Sequence, residues 1–149
     1  MIYSDFAGLF RKSQGIEGVI RRKRVTLTSA QILALYTTPV EIIAAPGTGY
    51  YNDVLSVMAI NDYNSVAYTG ANALELRYTN ASGAKVTGDL AAAFINSASD
   101  RADKAVGVAV TAVSNAAVVA AVPTANPGAG NGTITLDIQY RTLPFAVTL

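Results

Sequence analysis

Between residues 134 and 141 apolar and polar side chains alternate without a break. Ile134, Leu136, Ile138 and Tyr140 fall on one parity, Thr135, Asp137, Gln139 and Arg141 on the other. In an extended chain successive side chains point to opposite faces, so this run predicts a strand with one face buried and one in water. Leu74, Leu76 and Tyr78 alternate with Glu75 and Arg77 in the same way, ahead of the turn Asn80-Ala81-Ser82-Gly83. Val106, Val108 and Val110 begin a further strand over 106–113, and 116–122 another.

Shorter signals fill in the rest. Residues 25–28 alternate as a short strand, and 40–45 read as a strand closed by Pro46-Gly47-Thr48-Gly49. The nearly continuous apolar run 54–60 predicts a strand buried on both faces, closed by Asn61-Asp62-Tyr63-Asn64. Thr28-Ser29-Ala30-Gln31 has capping-box spacing ahead of Ile32, Leu33 and Leu35, which predicts a capped helical turn that Pro39 ends. Residues 89–97 read as the best helix, with Leu90, Ala93 and Phe94 on one face and Asp89 in the first turn. Residues 99–104 form a charged loop and 123–132 a Pro/Gly/Asn turn. The sum is a mainly β domain, a sandwich or jelly roll with two short helices and an extended N-terminal arm.

With 51% hydrophobic and 14% charged residues and a mean hydropathy of +0.32, the 149-residue chain has the material for a core. It contains no histidine and no cysteine. Ser-His-Asp and Cys-His catalysis, thiolate zinc sites, histidine metal ligation and disulfides are therefore excluded. Carboxylate, lysine, tyrosine or serine chemistry remains, or none.

Each surviving constellation has an ordinary structural reading. Asp100 and Asp103 stand among Arg101 and Lys104, as in a solvated loop, and Asn61, Asp62 and Asn64 are what a turn needs. Glu75 with Arg77 and Asp137 with Arg141 share strand faces and suit exposed networks. Gly47 and Gly49, like Gly128, Gly130 and Gly132, lack phosphate-loop spacing, and the sequons at Asn80 and Asn131 sit in turns. Eight tyrosines occur without the spacing of an RNA-binding sheet. No catalytic, cofactor-binding or metal-binding residue is expected.

The net charge of +1 hides a split. Residues 1–24 hold six bases against two acids, and the remaining 125 hold five against eight. We read 1–24 as an arm and 25–149 as the body. The arm's apolar residues Phe6, Leu9, Phe10, Val19 and Ile20, with the cations Arg21, Arg22, Lys23 and Arg24, are the expected partner contacts. A neighbouring subunit is the favoured partner, ahead of a solvated tail and of nucleic acid. No signal peptide is read, because the bases follow the weak apolar run, and polar residues interrupt the uncharged run 105–136, which argues against a membrane span.

The runs Val25-Thr26-Leu27-Thr28-Ser29-Ala30-Gln31-Ile32-Leu33-Ala34-Leu35 and Thr38-Pro39-Val40-Glu41-Ile42-Ile43-Ala44-Ala45-Pro46-Gly47 resemble a group of small tailed-bacteriophage virion proteins. So do Asp62-Tyr63, Ala67-Tyr68, Leu74-Glu75-Leu76-Arg77-Tyr78-Thr79 and the closing strand 136–141. The resemblance spans 25–142 and leaves the arm out. It implies a capsid decoration, or cement, protein with a jelly-roll-like body, a homo-trimer on the outer shell that bridges neighbouring major capsid subunits. It implies no catalytic residue and no cofactor. The expected location is the virion surface after synthesis in the host cytoplasm. A tail, neck or head-fibre component and a carbohydrate-binding module using Tyr50, Tyr51, Tyr63 or Tyr68 are the alternatives.

Overall fold

The alternating run at the C-terminal end is the organising strand. In the structure, a computed structural model that describes residues 18–145, it is β9, Thr133–Pro144. It pairs antiparallel on one side with β1, Arg21–Leu27, and on the other with β3, Tyr50–Asp62. With β6, Arg101–Val106, these make a four-stranded sheet in the order β1-β9-β3-β6. A second antiparallel sheet has the order β2-β7-β5, from Val40–Ile43, Val118–Ala121 and Glu75–Tyr78. The two-residue strands β4, Tyr68–Thr69, and β8, Gly128–Ala129, pair apart from both.

One hydrophobic core joins the two larger sheets. Val57, Ala59, Ile134, Leu136 and Ile138 enter it from the first, and Ile42, Leu76, Val118 and Ala120 from the second. Period-two patterning does this, since each strand presents every second side chain to the same interior. β7 lies between two strands and is buried at every residue, as its unbroken apolar sequence expects. The mainly β reading holds.

The first helix, α1, Ser29–Ile32, starts as its sequence dictates. The Thr28 hydroxyl accepts from the Gln31 N–H at 3.3 Å, and the Gln31 carboxamide accepts from the Thr28 N–H at 2.9 Å. The box turns the chain at the end of β1 and drives Ile32 and Leu35, both fully buried, into the core.

Five expectations are corrected. The strand expected from Val25 begins at Arg21, because β9 supplies Tyr140, Gln139, Ile138 and Asp137 as partners for residues 21–24. The helix expected over 89–97 contracts to α2, Ala92–Ile95. Leu90 exchanges backbone hydrogen bonds with Leu74 at 2.8 and 3.0 Å, and Asp89 turns to Lys85 rather than capping. The run 54–60 is not buried on both faces, since Met58 and Ile60 are 41% and 38% exposed. Finally, 99–104 is not a loop but mostly the edge strand β6, while 107–113 carries only an isolated bridge between Thr87 and Gly107. Charges alternating along an edge are compatible with pairing on one side only, and they discourage pairing on the other.

Close packing fixes the β8 turn. Gly130 has φ +86, and a Cβ there would lie 2.1 Å from the Tyr68 ring. Tyr68 is buried beneath it and donates its hydroxyl to the Gly132 carbonyl at 2.8 Å.

Candidate functional site

The four consecutive cations lie in β1, and strand geometry divides them. Leu27 and Val25 point into the core, so Lys23 and Arg21 continue the inward parity while Arg22 and Arg24 point outward. Opposite the outward pair stands Asp137, the partner of Arg24 in the ladder. Its carboxylate accepts from Arg24 Nη2 at 2.7 Å and Nε at 3.1 Å, and both its oxygens accept from Arg22. Hydrogen bonds from Arg22 and then Arg24 hold Asp137 far below the ordinary carboxylate range, at about 2. The run is a structural clamp on one face.

The inward pair has another setting. Arg21 and Lys23 border a cleft of about 290 Å³ whose wall is formed by Ala44, Pro46, Asn52 and Tyr140. Asn52 is committed within it, donating to the Ala44 carbonyl at 2.9 Å and accepting from Thr142 Oγ1 at 3.1 Å. The cleft offers positive charge over a satisfied polar floor.

The outward face of the first sheet forms a regular grid. Val106, Ser56, Gln139 and Arg22 make one row across it; Lys104, Met58, Asp137 and Arg24 the next; Ala102, Ile60, Thr135 and Thr26 the third. A depression of about 230 Å³ lies between Arg22, Met58, Lys104 and Asp137.

Of the expected contact residues, Phe6, Leu9 and Phe10 lie outside the described residues. Val19 and Ile20 precede β1 and are 45% and 62% exposed. The structure therefore brings Arg22 and Arg24 together on Asp137 and places Arg21 and Lys23 on the opposite parity. Met58, Ile60, Lys104 and Val106 were not singled out as contacts. The signal that could have found them is Ser56, the polar residue in the apolar run, which marks the outward parity of β3.

The other candidates resolve into structure. Glu75 is buried rather than exposed, paired with Arg77 Nε at 2.6 Å and Lys85 Nζ at 2.7 Å. Arg141 pairs with Asp53, not Asp137. Asp100 accepts from the Tyr63 N–H and Asp103 pairs with Arg101. Asn61 is buried and donates to the Phe94 carbonyl at 2.8 Å. Asn131 accepts from the Ser65 and Val66 N–H groups, and Asn80 from that of Ser82, so both sequon asparagines serve turns. Tyr68 and Tyr78 are buried, and Tyr51 sets its ring edge-on to Phe145. Among the described residues no three Asp or Glu side chains converge as a metal site requires, and no helix is long and apolar enough to cross a membrane.

The backbone has counterparts among solved structures. This chain is similar in fold to one in the cyanophage Pam1 capsid asymmetric unit. The similarity covers 88% of this chain and 89% of that one, at 20% identity and a TM-score of 0.50. A chain in the capsid of Ralstonia phage GP4 aligns over 90% of this chain and 89% of that one, at 18% identity and a TM-score of 0.43. No protein-family model and no curated protein matches the sequence.

Proposed function

We propose that this chain is a virion structural protein, a capsid decoration or cement protein that binds the outer shell and bridges neighbouring major capsid subunits. The observation that carries the proposal is a fold shared over 88% of the chain with a chain of a phage capsid asymmetric unit. The likeness of residues 25–142 to small tailed-phage virion proteins points the same way. The role asks for a rigid β body and a contact surface, with no chemistry. Phe6, Leu9, Phe10, Val19 and Ile20 serve as apolar anchors on the shell, with Arg21 and Lys23 meeting its carboxylates. Arg22 and Arg24 contribute through the charge left beside Asp137. A homo-trimer multiplies each weak contact through effective concentration, so binding depends on the assembled lattice.

Two linked measurements test this. Mass photometry of the purified full chain reads the oligomer, expected to be a trimer. Co-sedimentation with shells stripped of the protein reads rebinding, expected to saturate at a fixed ratio. A monomer that leaves shells in the pellet bare overturns the proposal.

A further inference from the structure

Among the described residues none covers the outward face of the four-stranded sheet, and its composition is unlike that of a plain solvated face. Met58, Ile60 and Val106 are 41%, 38% and 58% exposed. They are not scattered: Met58 and Ile60 stand two residues apart on β3, and Val106 lies diagonally across from Met58 on β6. Single exposed hydrophobes need no explanation, but a contiguous group rimmed by charge marks a contact surface.

The rim is positive. Within the three rows Arg22, Arg24 and Lys104 project against the carboxylate of Asp137, and Asp62 stands exposed one row further along β3. In holding Asp137 the two arginines keep most of their surface, with side chains 67% and 62% exposed, so their outer N–H groups remain open to a second acceptor. Lys104 is exposed on the edge strand and has no ion pair among the described residues. Within those rows the excess is two positive charges around an apolar centre.

We propose that this face docks an acidic protein surface, with carboxylates meeting Lys104, Arg22 and Arg24 around an apolar contact on Met58, Ile60 and Val106. The inference rests on the shell-binding reading and names the part of the body that meets the shell. Charge complementarity selects the occupant. A second copy packed face to face across a two-fold axis would set these cations against their own equivalents, which opposes association. Nucleic acid fits less well, because the grid carries no aromatic side chain for stacking and places Asp137 in its middle row, where phosphate is repelled.

The test uses the full chain and shells stripped of the protein. Met58 and Lys104 are exposed, so Met58→Asp and Lys104→Glu keep the core intact, as circular dichroism and unchanged thermal midpoints should confirm. Each is expected to weaken co-sedimentation by about tenfold or more, with Lys104→Glu also blunting the salt dependence. Tyr36→Asp, exposed beyond α1 and off this sheet, should bind like wild type. Wild-type binding retained in both face variants overturns the inference while leaving the shell reading intact. Release of the protein from shells by a DNA fragment at equal charge concentration overturns the acidic-protein occupant. Failure of the wild type itself to bind overturns the shell reading, and this contact with it.

Discussion

Arg24 faces Asp137 across the β1–β9 ladder, and its Nη2 reaches the carboxylate at 2.7 Å. Arg22 closes on the same carboxylate from the next outward position of β1. This clamp ties the first described strand to the central one. Its strength follows the charge on Asp137, held at about 2 against an ordinary 3.8. A carboxyl group lowered in the folded state contributes stability above its unfolded value and loses it as pH falls toward the folded value. Protection of the β1 amides, taken relative to the intrinsic exchange rate at each pH, should therefore fall between about pH 3.8 and about pH 2. Asp137→Asn should exchange faster at neutral pH and lose most of that acid dependence; an unchanged profile would count against the clamp.

Tyr78 gives the opposite sign at the alkaline end. Its hydroxyl is buried and donates to the Asn52 carbonyl at 2.6 Å, and desolvation raises its pKa to about 12, with the charges of Asp53 and Tyr51 adding to the effect. A group raised in the folded state contributes fully below its unfolded value, so stability should decline as pH rises from about 10 to about 12. Tyr78→Phe should lower stability by about 1–2 kcal/mol at neutral pH, by leaving that carbonyl unpaired. Urea denaturation at a series of pH values reads both effects.

Glu75 is the buried centre of an ion network with Arg77 and Lys85. Removing one partner of a buried pair strands the other. Here Arg77 keeps the Gly83 carbonyl at 2.6 Å and Lys85 keeps Asp89, so the cost falls toward the low end of the range. Glu75→Ala should cost about 3 kcal/mol in equilibrium denaturation. A cost below about 1 kcal/mol would show the network to be dispensable.

The core makes a simpler demand. Phe94 is fully buried on α2 among side chains of the shared core, and Phe94→Ala should cost about 3–5 kcal/mol in equilibrium urea denaturation. Gly130→Ala should also destabilise, because its positive φ and the Tyr68 ring leave no place for a methyl group. Retention of the Tyr68 near-ultraviolet signal in Gly130→Ala would contradict that packing.

Much of this fold was legible because alternation is local. Ile134, Leu136 and Ile138 announced β9, Leu76 and Tyr78 announced β5, and Thr28 with Gln31 announced α1. What was hidden depended on partners distant in sequence. Residues 21–24 look like a basic tail until Asp137 and Gln139 are set beside them. Leu90 has helical spacing, but Leu74 captures its backbone. Met58 and Ile60 belong to an apolar run in which Ser56 alone separates outward from inward residues, so one polar side chain has to carry the whole signal of the parity left in water. The contact face escaped for the same reason: its rows are assembled from four strands, and no one of them is unusual alone.

Cryo-electron microscopy of purified particles tests the central claim most directly. The account predicts density for this fold on the outer shell, grouped in threes, with the β1-β9-β3-β6 face turned toward acidic residues of the underlying capsid protein. Density for this fold confined to the tail, neck or fibres, with a bare shell, would contradict it.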